Sequence, residues 1–380
     1  MSDLLLKFPS NLIFGPDVIQ RIGQIVGHHG SRCLLVTESV LRRHGTIAHI
    51  ESILDRRSIS TIVYDETGPG ATTAALAKGV SVARASKAEV VVGIGGMSVL
   101  AAARVIATAR DAEIADVLAG RVHGVPAGAY IEVPTSYRNH FMLRDQCIIT
   151  DGATRRPLLV PVPEGTTSAV IVDPNMTLSM SAKYAAAAML DTLLAALEGY
   201  VSNRASFYSD TLLLEAITRL GAALTGITET PNEPKHRIRA SEAGLLTALA
   251  LASSSQGVGG ALSYAINSVH AVPKSWVATV LLPHVLDTAV LARPDKLKRV
   301  AHALGEEVRD VTPTDAADRA SAAVRRIIGQ LELPGRLREM DLAIDDLVDV
   351  AELAASLDMA ATAPMPHATS DLYDLIKLAF

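Results

Sequence analysis

The chain has 380 residues, of which 49% are hydrophobic and 20% are charged, and its formal net charge at pH 7 is -5. This balance is typical of a folded globular protein and excludes an intrinsically disordered chain. The length exceeds that of one typical hydrophobic core, so we predict two domains. The sequence contains no long basic run, so nucleic acid is not expected as a partner.

Several features bear on the compartment of the protein. The first fifteen residues lack a basic segment followed by a long apolar stretch, so no signal peptide is expected. Two strongly apolar segments are residues 245–252, too short to span a bilayer, and 276–292, interrupted by a histidine and an aspartate, so we expect no contact with a membrane. Cys33 and Cys147 lie in apolar strand-like runs, which favours buried free thiols over a disulfide. We therefore expect a cytoplasmic protein.

The first 175 residues alternate short apolar runs, rich in β-branched side chains, with amphipathic stretches. This alternation predicts a parallel sheet with helices on both faces, in a Rossmann-like α/β domain. A helix is expected over residues 72–86. The predicted strands are residues 32–38, 60–65, 88–93, 129–134, 146–150 and 168–172.

The character of the sequence changes after Asp173-Pro174. Alanine and leucine dominate, and 3.6-residue periodicity continues to the end of the chain, which predicts an all-α domain. Helices are expected over residues 183–201, 209–224, 239–251 and 315–331. We place the two domains at residues 1–163 and 164–380, with the hinge beginning at the segment Pro161-Val162-Pro163.

Six short segments occur in a characteristic order along nearly the whole chain. They are Leu12-Ile-Phe-Gly-Pro16, Gly93-Ile-Gly-Gly-Met-Ser98, Pro134-Thr-Ser136, Val172-Asp-Pro174, Asp191 to Glu198-Gly-Tyr200, and Leu281-Leu-Pro-His-Val285. In this order and spacing the chain resembles the iron-dependent (group III) alcohol dehydrogenases, which are related to glycerol dehydrogenases and dehydroquinate synthases. The resemblance implies an N-terminal Rossmann-like domain, a helical C-terminal domain and a homodimer.

The resemblance also implies a metal site, most of whose ligands this chain lacks. The family holds iron or zinc with an aspartate, a histidine four residues later, and two histidines fourteen residues apart. The matching positions are Asp191, Ala195, Gly260 and Lys274, so one ligand of the four remains. An ammonium group has no lone pair to donate and its charge opposes a cation. We therefore expect no catalytic metal bound in the family's way.

Two further side chains near these positions could take part in proton transfer. Tyr264 stands where the family often carries a proton-relay histidine, and His270 precedes Lys274 by four residues. A tyrosine can donate a proton but starts from a higher pKa than a histidine. The alternative is that Tyr264 is only a wall of the former metal pocket. A single histidine with a single carboxylate would make a poor metal site.

The first phosphate-binding loop implied by the resemblance is altered. A dinucleotide needs backbone amides close to its pyrophosphate, which glycines permit. Gly95, Gly96 and Ser98 are kept, but the third glycine is Met97, and a lysine that normally follows is Arg104. The glycine pair alone is weak evidence for a cofactor, because glycines also serve tight strand-to-helix turns.

The second loop, residues 135–142, is altered as well. Arg138 and His140 replace two glycines, and the acidic residue after the first strand of the family persists only as Glu38. Bulky side chains in both loops should narrow the cofactor channel. We therefore expect no cofactor, although NAD(P) binding is possible.

Eight polar side chains converge on the cleft between the domains if the family's geometry holds. They are Tyr137, Arg138, His140, Arg144, Asp191, Tyr264, His270 and Lys274. The functional interpretation is a site for a small anionic or carbonyl-bearing molecule, in which Arg138 and Arg144 bind the substrate and the others move protons. The alternative is that Lys274 and Asp191 pair to fill the metal site while both arginines are solvated.

Three functions remain open from the sequence. The first is a metal-independent, non-redox enzyme of lyase, isomerase or cyclase type. The second is a metal-free NAD(P)H-dependent reductase in which Lys274 or Tyr264 polarises a carbonyl in place of the ion. The third is a non-catalytic binding protein, which the retained polar side chains argue against.

Overall fold

The computed structural model describes residues 6, 8, 11–68, 70–124, 128–230 and 233–380. Most of the first ten residues, on which the prediction of no signal peptide partly rests, lie outside these ranges. The chain divides into two structural units, Lys7–Ser179 and a unit that contains Met180–Phe380.

A parallel sheet forms the centre of the first unit. The strands of this unit are β1 Asn11–Phe14, β2 Arg32–Val36, β3 Ser60–Tyr64, β4 Val90–Gly95, β5 Ala129–Pro134, β6 Gln146–Thr150, β7 Pro157–Pro161 and β8 Thr167–Val172. Six of them make the sheet in the order β1-β8-β5-β4-β2-β3, and every neighbouring pair is parallel. Every residue of β4 is buried, as expected of a central strand covered on both faces.

Helices cover both faces of this sheet. They are α1 Ile22–Gly27, α2 Ser39–Arg43, α3 Thr46–Asp55, α4 Thr73–Ala85, α5 Met97–Ala109 and α6 Ile114–Leu118. Side chains alternate between the two faces of a strand. Along β2, Leu34 and Val36 join the core completed by α4 and α5, whereas Cys33 and Leu35 join the core completed by α1 and α3. The predicted Rossmann-like arrangement is therefore confirmed.

The two cysteines are free and buried, as predicted. Burial raises the pKa of Cys147 to about 12 and also raises that of Cys33. The thiolate is the reactive form of cysteine, so neither side chain is a nucleophile near neutral pH.

Strand β7 is missing from the predicted strands. It pairs antiparallel with β6, from Gln146 opposite Pro161 to Thr150 opposite Pro157, in a separate two-stranded sheet. Proline cannot donate to a strand ladder and is confined to edge strands or strand ends. Pro161, the last residue of β7, was assigned with Pro163 to the predicted hinge, which concealed this strand.

The boundary between the units falls at Ser179/Met180, not at residues 163/164 as predicted. Strand β8 pairs with β1 on one side and with β5 on the other, so it lies inside the first sheet. The predicted boundary was placed before this strand and is therefore corrected.

The second unit is helical, as predicted. Its helices are α7 Ala182–Val201, α8 Phe207–Glu229, α9 Pro234–Leu251, α10 Val258–His270, α11 Lys274–Ala289, α12 Pro294–Ala303, α13 Pro313–Gly329, α14 Val348–Ala355 and α15 Thr369–Ala379. Helix α7 is buried from Ala185 to its end and packs against α8, α9, α10 and α11. Among the described residues, α8 alone is long and apolar enough to cross a membrane, and half of its most apolar window is buried.

Candidate functional site

Lys274 and Asp191 form a buried ion pair in the helical unit. Lys274 is the first residue of α11, and Asp191 lies in the middle of α7. Lys274 Nζ is 2.5 Å from Asp191 Oδ1, and the side chains are 4% and 0% exposed. The ion pair that was the alternative interpretation of these two residues is therefore present. It does not exclude a role in binding, because a paired ammonium can still donate to another acceptor through its remaining N–H groups.

Tyr264 lies against the same ammonium group. Its ring, on α10, has its centroid 4.5 Å from Lys274 Nζ, within the range of a cation–π contact. Tyr264 is buried. His270 is the last residue of α10, and its Nε2 atom is buried without a hydrogen-bond partner among the described residues.

A second carboxylate, Glu198, lies two turns after Asp191 along α7. Its oxygens accept hydrogen bonds from the backbone N–H groups of Gly259 at 2.6 Å and Gly260 at 3.0 Å. Burial raises the pKa of Glu198, opposed by these N–H groups and by the charge of Lys274. Glu198 was not among the predicted site residues. The adjacent glycines were the available signal, but only the fold brings them to the carboxylate.

The residues present do not fit the metal of the resembled family. No cluster of three or more histidine, cysteine, aspartate and glutamate side chains that could hold an ion occurs in the part of the chain that the structure describes. Ala195 and Gly260 supply no donor atom, and Lys274 places an ammonium beside the remaining carboxylate. A Cβ atom at Gly260 would lie 2.8 Å from Gln256 Oε1, so a histidine there would require Gln256 to move.

In the first unit, Gly95 and Gly96 form the turn between β4 and α5. A Cβ atom at Gly95 would lie 2.8 Å from Val99 Cβ, so packing alone requires this glycine. Gly96 precedes α5, and its N–H donates to Glu38 Oε1 at 3.3 Å. The Glu38 carboxylate thus accepts a hydrogen bond from one of the backbone N–H groups at the N-terminus of α5, where an anion could otherwise bind. Met97 adds a buried side chain where a third glycine would leave space.

Arg104 of α5 holds the second loop, residues 135–142, through hydrogen bonds to its backbone. Its guanidinium is buried and lies 2.6 Å from Glu132 Oε2. Burial lowers the pKa of Arg104, but the Glu132 carboxylate outweighs this effect and raises it. The guanidinium also donates to the backbone carbonyl oxygens of Phe141, Met142, Arg144 and Gln146 at 3.0–3.2 Å. In the sequence, Arg104 was only the replacement of a family lysine, because the loop that it contacts is distant along the chain.

The predicted side chains of this loop lie largely in the interior. Tyr137 is fully buried and its hydroxyl donates to Thr177 Oγ1 at 3.3 Å, and His140 is also buried. Arg138 and Arg144 are partly buried, and the Arg144 guanidinium carbon lies 5.9 Å from the centroid of the Phe141 ring. Arg144 is therefore not the fully solvated residue of the second interpretation.

The predicted site residues fall into two groups. Lys274, Asp191 and Tyr264 come together in the helical unit. Tyr137, Arg138, His140 and Arg144 belong to one loop of the first unit. That the two groups face a common cleft stays a prediction.

The chain belongs to the iron-containing alcohol dehydrogenase family. The family model described as iron-containing alcohol dehydrogenase matches residues 9–174, and the model for the C-terminal domain of the Fe-containing alcohol dehydrogenase family matches residues 185–380. The resemblance found in the sequence is confirmed, together with its α/β and helical domains.

Individual relatives match the whole chain at low identity. The 1,3-propanediol dehydrogenase of Klebsiella pneumoniae is 24% identical over 379 residues, covering 98% of this chain and 97% of the relative. A solved 1,3-propanediol oxidoreductase superimposes with a TM-score of 0.92 at 23% identity, covering 99% of this chain and 100% of the other. The NADH-dependent butanol dehydrogenase A of Thermotoga maritima gives 0.88 at 16% identity, covering 100% and 99%.

Replacing Arg104 tests the loop network. Arg104→Met leaves the buried Glu132 without its guanidinium and should lower the free energy of unfolding by about 3–5 kcal/mol. The matched control is Arg121→Met, which breaks an exposed ion pair with Asp116 and should cost at most about 1 kcal/mol. Denaturant unfolding measures both. Equal losses in the two variants would contradict the assigned role of Arg104.

Replacing Lys274 tests the second buried pair. Lys274→Ala removes the ammonium from the buried Asp191 and should lower the free energy of unfolding by about 3–5 kcal/mol. The double variant Asp191→Asn with Lys274→Met should recover much of the loss, because neither member of the pair then carries a buried charge. Lys377→Ala, in an exposed pair with Asp374, is the control. A Lys274→Ala protein as stable as the control would show that the pair is unimportant for folding.

Proposed function

We propose that this protein is a metal-independent enzyme that acts on a small carbonyl-bearing or anionic substrate by proton transfer, as in a lyase, isomerase or cyclase. The observation that supports the proposal is the buried Lys274–Asp191 pair, which lies beside Tyr264. Both members of the pair stand at positions of the family's metal ligands. Buried, paired ionisable groups that depart from a family's usual chemistry are candidates for a functional site.

The ammonium of Lys274 can replace a metal ion in stabilising negative charge on a carbonyl oxygen. An N–H group aimed at a carbonyl oxygen stabilises the negative charge that develops when a proton leaves the adjacent carbon. Asp191 keeps the lysine charged and fixes its direction. Because Asp191 already compensates that charge, the pair suits an oxygen that gains charge during the reaction. Arg138 and Arg144 are the proposed partners of a permanent anionic group.

Proton movement needs an acid and a base. Tyr264 is the proposed acid, because its ring already lies beside the ammonium. His270 and His140 are the proposed bases, since an imidazole nitrogen can accept a proton. Tyr137 is proposed to support His140 in the loop. The buried Met97 and the contact of Glu38 with Gly96 favour a site that uses no dinucleotide.

A second candidate is a metal-free NAD(P)H-dependent carbonyl reductase. The glycine turn at the carboxyl end of β4, followed directly by α5, favours it, because dinucleotide phosphates bind at such turns. The family and a relative described as NADH-dependent also support it. Lys274 would then polarise the carbonyl that accepts the hydride. A non-catalytic binding protein remains a third candidate. For each we propose a cytoplasmic homodimer with no nucleic-acid or membrane partner.

The metal content tests the first half of the proposal. Protein expressed with added iron, zinc and nickel should contain none of them in stoichiometric amount, because one family ligand of four remains. Elemental analysis by mass spectrometry measures this. Asp191→Asn is the matched control, since metal held at this site should fall further in that variant. One equivalent of metal that chelators remove together with activity would contradict metal independence.

Cofactor binding tests the second half. Millimolar NAD, NADH, NADP or NADPH should leave the melting temperature unchanged, whereas a ligand at a hundred times its dissociation constant would stabilise the fold by about 2.7 kcal/mol. A variant that restores glycine at residues 97, 138 and 140 should gain such a response if these side chains block the site. A clear upward shift with the unmodified protein would favour the reductase.

A further inference from the structure

We propose that Glu198 is a positioning residue that fixes the first turn of α10 and thereby holds the ring of Tyr264 over the Lys274 ammonium. The proposal rests on the proposed function of Lys274, and it adds a residue that acts through another group. Glu198 is buried, and it lies on the same face of α7 as Asp191 because the two are seven residues apart.

The carboxylate of Glu198 binds the start of α10 directly. Its Oε1 accepts the N–H of Gly259 at 2.6 Å and its Oε2 accepts the N–H of Gly260 at 3.0 Å. The first N–H groups of a helix have no partner within the helix. A buried carboxylate that receives two of them therefore ties α10 to α7 at a defined position.

The glycine at residue 257 is explained by the close approach of Glu198. A Cβ atom at Gly257 would lie 2.9 Å from Glu198 Oε1, and no other residue comes as close to it. At Gly259 and Gly260 the carboxylate oxygens would lie 3.1 and 3.2 Å away, farther than atoms of Val285 and Gln256. A side chain at residue 257 would therefore push the carboxylate away, so Gly257 and Glu198 form one arrangement.

Glu198 influences the position of the Tyr264 ring, beside the Lys274 ammonium, through one turn of α10. Tyr264 follows Gly260 by four residues and so lies on the same side of α10. Its ring centroid is 4.5 Å from Lys274 Nζ. A shift or rotation of the first turn would therefore displace the ring.

Fluorine NMR of protein labelled with 3-fluorotyrosine tests the proposal. The chain has 8 tyrosines, and Tyr264→Phe identifies the resonance of Tyr264. In Glu198→Gln, which has nearly the same shape but presents an N–H donor to the helix, that resonance should move by more than its line width. It should also move in Lys274→Met. The resonances of Tyr64 and Tyr130, in the other unit, should stay in place.

Glu215→Gln is the matched control, because Glu215 pairs with Arg219 on the partly exposed face of α8. It should leave the Tyr264 resonance unchanged. If Glu198→Gln does not fold, Gly257→Ala is the second variant, because a Cβ atom there would lie 2.9 Å from Glu198 Oε1, and it should move the same resonance. An unmoved Tyr264 resonance in a folded Glu198→Gln or Gly257→Ala protein would overturn the positioning role. That result leaves the proposed function standing, since metal content and cofactor binding test it separately.

Discussion

In the helical unit, the negative charge of the buried Asp191 carboxylate requires a positive charge beside it. Asp191 is fully buried, and an isolated carboxylate there would be strongly unfavourable. The resembled family meets this need with a divalent ion, and this chain meets it with the ammonium of Lys274, brought from the start of another helix. The same pair therefore joins α7 to α11, and Tyr264 brings α10 to the same point. In this chain the ammonium of Lys274 thus supplies the positive charge beside the buried carboxylate.

The same principle operates in the first unit. There Glu38 accepts the N–H of Gly96, and Arg104 supplies donors to the carbonyl oxygens of the loop that follows β5. Buried polar groups of a protein are nearly always hydrogen-bonded. In both units, buried charged side chains thus find partners within the chain itself: Lys274 beside Asp191, and Glu132 beside Arg104.

Local patterns predicted the elements of the fold, and long-range contacts decided the rest. The apolar runs of β4 and β5 and the alanine-rich periodicity of α7 identified those elements directly. The prolines of β7 concealed a strand, because an edge pairing is visible only once β6 lies beside it. Counting positions from the family's motif brought Lys274 and Asp191 together. Glu198 and Arg104 were missed, since the parts of the site that they hold are backbone N–H and C=O groups, which every sequence position offers equally.

An ammonium and a metal ion are not equivalent, and the difference limits the chemistry. A divalent ion can hold several oxygens at once and can lower the pKa of a bound water molecule. The ammonium of Lys274 carries one positive charge and donates hydrogen bonds along fixed directions. Part of its electrostatic effect is offset by the negative charge of Asp191. It can stabilise a single oxygen on which charge develops, but it cannot generate a hydroxide nucleophile. The proposed chemistry fits this limit, because it needs only a polarised carbonyl and a mobile proton and no metal-bound nucleophile.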